Sequence, residues 1–272
     1  MNLLNTSKAA LINFNENDGW AMASHIALSM IMALFPFVIF ATSMAAFFGF
    51  EDQTSNIVSL VFETWPDNIS KPIVNEIDAV LTDQNSGFLS TAVVLALFFA
   101  SNGVEAVRVG LDRAYDESNE RSFLYCRLQS LIFVVCGALL LMGFSTLLVL
   151  RPVLHEAIVE QFPVLETLGT PIFVLRFTLS IGALLFAVYA CHAWLPTGKR
   201  SFNDLWPGIA LTLTLWIISA TAFSHYLDHY SNYGATFAGL ASIMIALVFL
   251  YLMAVILLLG GEFNAALRSS RS

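Results

Sequence analysis

Seven ionisable residues lie in stretches otherwise built of Leu, Ile, Val, Phe and Ala: His25, Glu105, Arg108, Arg176, His192, His225 and Glu262. An ionisable side chain at membrane depth costs at least about 2.5 kcal/mol for Asp, Lys or Arg at a helix centre, so it is normally paired or turned to a cavity. Glu105 and Arg108, three residues apart, can pair directly on one helix face. Glu262 follows Gly260 and Gly261, where a locally irregular helix could open carbonyls to a cavity. The chemistry such a set offers is binding of a charged or polar solute inside the membrane. Structural glue between helices is the competing use, and Arg108 and His192, close to helix ends, could instead snorkel to the interface. His225 and His229 flank Asp228 at a spacing that puts both imidazoles on one face. With no third ligand and no H-E-x-x-H glutamate, no metal site is expected.

The elements that must position these groups are apolar helices. Of 272 residues 57% are hydrophobic and 12% charged, 23 are phenylalanine, and the mean hydropathy is +0.74. That composition belongs to a protein whose solvent is the bilayer. Six segments reach the roughly 20 apolar residues that a span requires: about 20–50, 88–107, 123–150, 170–195, 205–227 and 235–267. The expected fold is therefore all-α, a polytopic membrane protein with six transmembrane helices in one bundle domain over 1–272. Pro36, inside the first span, removes a backbone hydrogen bond and should bend it. The N-terminus has no compact apolar region followed by a small-residue cleavage site, so the first span is expected to stay.

Lys and Arg fix the expected orientation. Lys8, then Arg108, Arg113, Arg121 and Arg127, then Lys199 and Arg200, then Arg268 and Arg271 all fall on one side, whereas the first connection has Lys71 alone against seven acids. Both termini are thus expected in the cytoplasm. On this topology His25, Asn102, Glu105, Arg108, His192, Glu262 and Asn264 come to one cytoplasmic depth and form a candidate cluster with Ser24 and Ser29. Arg176 and His225 lie towards the outer side. The exposed arm from Asp112 to Arg127 would carry an ordinary surface pair between Arg113 and Glu117. In the first outer connection Ile69, Ile73, Ile77, Val80 and Leu81 recur at helical spacing, which predicts an amphipathic helix in that periplasmic loop.

Other partners follow from composition. The net charge of −8 and the lack of any basic tract give no support for a nucleic-acid partner, and none is expected. Cys126, Cys136 and Cys191 have no C-x-x-C spacing, so no zinc site or disulfide framework is expected, and no cofactor. Membrane lipids are the expected partners. Small-residue rows such as Ala41–Ala45–Gly49, Ala183–Ala187–Cys191 and Ala235–Gly239–Ser242–Ala246 would serve packing within the bundle or the face of a homo-oligomer.

ALFPF in the first span, ASNGVEAVRVGLDRAYD running out of the second, LP-x-x-x-R at Leu195 to Arg200 followed by WPG, and YSNYGATFAGLASIMIALVFLYLMAVILLLGGEFNAAL at the end together resemble the YihY/virulence factor BrkB family of bacterial inner-membrane proteins. The most specific part is the last span, with Tyr233, Gly234, Gly260, Glu262 and Asn264 in its Y-G and L-x-G-x-E-x-N pattern. Phe249, Leu250 and Tyr251 stand where the family more often has W-L-Y. The resemblance implies six spans with both termini inside. The family long carried the label of a tRNA-processing ribonuclease, but this chain has no H-x-H-x-D-H cluster to hold catalytic zinc. The readings rank as a transporter of a lipid, amphiphile or small solute through a cavity lined by Glu105 and Glu262, then an envelope scaffold of the serum-resistance type, and last an intramembrane enzyme, so a non-enzymatic protein is expected.

Overall fold

Helices account for nearly all of what the computed structural model describes, which is residues 3–48, 86–117, 121–154, 169–229 and 240–270. Seven follow one another: α1 Leu3–Glu16, α2 Gly19–Phe47, α3 Ser86–Ala114, α4 Phe123–Leu154, α5 Gly169–Trp194, α6 Phe202–His229 and α7 Leu240–Ser269. There is no strand among the described residues. Five stretches are long and apolar enough to cross a membrane: Gly19–Ala45, Val93–Ala114, Phe123–Gly143, Phe202–Tyr226 and Ile243–Ser269. In α5 the described apolar stretch, Thr178–Trp194, is shorter. Each of the six expected spans thus overlaps a helix, and five have the length and composition of a span. The amphipathic helix expected around Ile69 to Leu81 lies outside the described residues.

Small side chains let the backbones approach. Ala23, Ile26 and Ala27 of α2 are buried, as are Ala106, Val107 and Leu111 of α3 and Ala254, Val255 and Leu258 of α7, and these three helices form the centre of the largest apolar cluster. A second cluster joins Phe40, Ala41 and Ala45 of α2 to Ala96 and Ala100 of α3 and to Val134 and Ala138 of α4. Helix α2 runs on through Pro36, and α6 through Pro207. Leu28, Met32, Val94, Phe98, Ile132, Ile217 and Val248 are exposed, an outward apolar belt that suits lipid contact.

Helix α1 is the element that the hydropathy pattern does not predict. Thr6, Ala10 and Phe14, four residues apart, are buried, and Ala10 packs with Phe263 and Ala266 of α7. The helix ends in a tight turn at Asp18, whose φ is 55°, and Gly19 leaves room for the Phe14 ring. Trp20 then meets Phe14 edge to face, ring centroids 5.0 Å apart. Two further helix starts are capped by side chains. Ser122 Oγ accepts from Tyr125 N–H at 3.3 Å on α4. On α6 Asp204 accepts from both Ser201 Oγ, at 2.7 Å, and Ser201 N–H, at 3.3 Å.

Candidate functional site

The polar groups gather where α1, the C-terminal end of α3, the connection from α5 to α6 and the last turns of α7 meet. They form three constellations. The first runs along α3, where Ser101, Glu105, Arg108 and Asp112 share a face. Arg108 donates from Nη2 to Glu105 Oε1 at 2.6 Å, from Nε to Glu105 Oε2 at 3.1 Å, and from Nη1 to Asp112 Oδ2 at 2.6 Å. Ser130 of α4 donates to Glu105 Oε2 at 3.0 Å, and Thr197 N–H donates to Asp112 Oδ1 at 2.6 Å. A guanidinium shared between two carboxylates, each also held by a neutral donor, is a closed ion triad that pins α3 to α4 and to the 195–201 connection.

That connection is stitched further. Arg121 donates to the carbonyls of Leu195 and Pro196 at 3.3 and 3.2 Å, and Gln129 donates to the carbonyl of Trp194. Arg200, its side chain only 1% exposed, donates to Glu117 at 3.1 Å and to the Thr197 carbonyl at 2.7 Å while its guanidinium lies 3.9 Å from the Tyr115 ring centroid. Burial pulls the Arg200 guanidinium below its ordinary value, with Tyr115 and Glu117 acting the other way. Gly198 has a φ of 93°, and a Cβ there would meet Glu117 Oε1 at 2.6 Å. Only glycine leaves room for that carboxylate at this backbone angle.

The second constellation is a hydrogen-bond chain across four elements. Asn264 Oδ1 accepts from Gly208 N–H at 2.6 Å, and its Nδ2 donates to the Leu205 carbonyl at 3.0 Å and to the Tyr115 hydroxyl at 3.2 Å. The Tyr115 hydroxyl lies 2.9 Å from His192 Nδ1. Having accepted from Asn264, the hydroxyl is set to donate to Nδ1, which leaves the proton of the neutral imidazole on Nε2. Burial pushes the Tyr115 hydroxyl up to about 12, so it remains a donor. His192 is fully buried, and its Nε2 has no partner among the described residues. Asn264 reaches the α6 backbone because the two helices cross glycine to glycine: a Cβ on Gly208 would collide with the Gly260 carbonyl oxygen and with Asn264.

The third is Glu262. It is 2% exposed, its Oε1 accepts from Asn17 Nδ2 at 2.8 Å, and its Oε2 is buried with no partner among the described residues. Asn17 comes from the turn between α1 and α2, outside the spans. Glu262 is thus a carboxyl group covered by one neutral side chain, in contrast to the doubly held Glu105.

The expected single cluster is therefore divided. Glu105 pairs with Arg108 as the spacing predicts, but among the described residues Glu105 and Glu262 share no hydrogen-bond partner. Arg108, at 5% exposure, and His192 are buried and do not snorkel. His25 is exposed, because the stripe of Ala23, Ile26 and Ala27 faces the core and turns His25 outward; Ser24, also exposed, donates to its own helix at Trp20. Asn102 is exposed and accepts from Arg127 at 2.8 Å. Asp112, read from sequence as the start of an exposed arm, is buried in the triad. The expected pair of Arg113 and Glu117 does not form: Arg113 reaches Asp18 at 3.2 Å, and Glu117 takes Arg200 and Arg268. Helix α3 ends at Ala114 and Asp116 adopts a φ of 52°, so the two no longer share a helical face. Of the two residues expected towards the outer side, His225 is exposed on α6, and the side chain of Arg176 lies outside the described residues. No group of three His, Cys, Asp or Glu among the described residues could hold a metal ion.

The GGEFN stretch thus performs two jobs, Glu262 against α1 and Asn264 against α6, and residues 10–272 match the family described as Virulence factor BrkB. The chain belongs to that family. It is 28% identical to the protein named ribonuclease-like protein YfkH of Bacillus subtilis over 97% of this chain and 95% of that one. It is 25% identical to a UPF0761 membrane protein of Pseudoalteromonas atlantica over 92% of this chain and 82% of the relative. A second UPF0761 membrane protein, from Alteromonas mediterranea, is also 25% identical, over 93% and 84%. No solved structure matches. As a family member with five span-length apolar helices, the chain is a membrane protein.

Proposed function

We propose that this protein is a non-enzymatic transporter of the bacterial inner membrane that moves a lipid, an amphiphile or a small solute, with Glu262 as its working group. The observation that carries the reading is the state of that carboxyl group: buried, one oxygen bare, the other held by a single amide from outside the spans. A purely structural glutamate would be closed like Glu105, since a buried polar atom without a partner destabilises by about 1–3 kcal/mol. Sites that must exchange partners keep such an atom. Both termini are read as cytoplasmic, because Arg113, Arg121, Lys199, Arg200 and Arg268 collect at the end where Glu262 lies. Membrane lipids are the partners. The ribonuclease-like label of the Bacillus relative is not carried over, as no zinc-binding histidine cluster exists in the sequence.

The test is reconstitution of the purified protein into vesicles loaded with a self-quenching anionic dye and bearing a fluorescent phospholipid. Movement of the dye or of the lipid between leaflets above that of protein-free vesicles is expected. A second reading, an envelope scaffold, is favoured by the closed triad of Glu105, Arg108 and Asp112, whose groups are all engaged. Vesicles that move neither probe would favour it.

A further inference from the structure

Glu262 also indicates which ion it would take. A buried carboxyl group must be compensated by a bound cation or by a proton. A hard metal cation such as Mg²⁺ or Ca²⁺ takes about six or more oxygen ligands, whereas here Asn17 presents its amide N–H, a donor, to Oε1, and Oε2 has no partner among the described residues. One bare oxygen beside a donor suits a proton. We propose that Glu262 is a reversible proton-binding site, and that the turn between α1 and α2 is its cover, so that Asn17 must leave the carboxyl group before the proton exchanges with water.

The surroundings fit a cover that moves as a unit. Helix α1 is joined to α2 through Asn17 and Asp18, with the left-handed Asp18 and the tightly approached Gly19 forming the corner. Outside the turn it rests on α7 through Ala10, Phe263 and Ala266. The charged groups on the packed elements are few. Just past the end of α3, Asp116 adds a negative charge near Glu262; on α3, Arg113 pairs with Asp18, whose side chain is 71% exposed, and Arg108 and Asp112 are paired with each other. Lys8 and Glu16 are exposed on α1, as is His25 on α2; Asp204 on α6 caps its own helix, and Arg268 on α7 lies 3.7 Å from Glu117. No cation pairs with Glu262 among the described residues.

The proposal shares Glu262 with the transport reading and rests on it for its use, but its test reads the proton itself. Infrared difference spectra of the wild-type protein in lipid, taken from acid to alkaline buffer, should contain a reversible carbonyl stretch of a protonated carboxylic acid. Labelling with 13C-glutamate should shift it, which separates it from Asp116, and Glu262→Gln should abolish it. Should Glu262→Gln not fold, Glu262→Asp serves, since its band would no longer shift with labelled glutamate. Asn17→Ala should speed hydrogen–deuterium exchange of the band about tenfold, the factor for roughly one hydrogen bond. A band that is absent at every pH, persists in Glu262→Gln, or is displaced by sodium at constant pH overturns the proton site. An unchanged exchange rate in Asn17→Ala overturns the cover. Flux that survives Glu262→Gln would overturn the transport reading alone.

Discussion

Replacing Gly208 by alanine tests the crossing of α6 and α7, and two opposed effects set its sign. Alanine in place of glycine inside a helix is favourable by about 1 kcal/mol through propensity. At Gly208 the new Cβ would fall inside contact distance of the Gly260 carbonyl oxygen, which is backbone, and of the Asn264 side-chain amide, which is held by its hydrogen bonds to Gly208, Leu205 and Tyr115. Overpacking of this kind costs about 1–3 kcal/mol. Separating the helices also lengthens the 2.6 Å bond from Gly208 N–H to Asn264 Oδ1 and the 3.0 Å bond from Asn264 to the Leu205 carbonyl, each a net contribution of about 0.5–1.5 kcal/mol. The losses exceed the propensity gain, for a net destabilisation of about 1–5 kcal/mol. Gly182 on α5 supplies the control, because a Cβ there meets nothing within 4 Å. Thermal unfolding in one detergent should therefore give a lowered midpoint for Gly208→Ala and an equal or raised one for Gly182→Ala. A Gly208→Ala protein as stable as wild type would refute the close glycine crossing.

Four further substitutions probe the other contacts. Arg108→Leu strands Glu105 and the buried Asp112, a loss of about 3–5 kcal/mol that should appear as poor recovery of folded protein on size exclusion, whereas Glu105→Gln leaves Asp112 on Arg108 and should fold. Tyr115→Phe removes the hydroxyl between Asn264 and His192 and should destabilise by about 1–3 kcal/mol in the same melting assay, with no change in helix content by circular dichroism. Asn17→Ala takes away one bond at the edge of the spans and should lower the unfolding midpoint less than Tyr115→Phe does.

Much of this arrangement is legible in the sequence wherever a single physical signal decides. Length and hydropathy locate the six long helices, since a span must bury its whole backbone in its own hydrogen bonds. The pairing of Glu105 with Arg108 follows from spacing alone. Helix α1 escapes notice because asparagines interrupt its hydropathy, although Thr6, Ala10 and Phe14 carry the four-residue period that could have found it. Rotation about the helix axis is not readable in this way: His25 points away from the core, and Asp112, one helical turn beyond Arg108, is drawn into the triad by Thr197 from a distant connection. Glu117 could be assigned only after the left-handed Asp116 had ended the helical register. The two roles of Glu262 and Asn264 emerge from α1 and α6, neither of which their own helix encodes.

The claim that Glu262 works while Glu105 holds the bundle together is tested most directly by comparing probe flux in vesicles containing Glu262→Gln with flux in vesicles containing Glu105→Gln, each scaled to folded, inserted protein. Flux lost in Glu262→Gln and largely kept in Glu105→Gln is the predicted result. Wild-type flux in Glu262→Gln would contradict it.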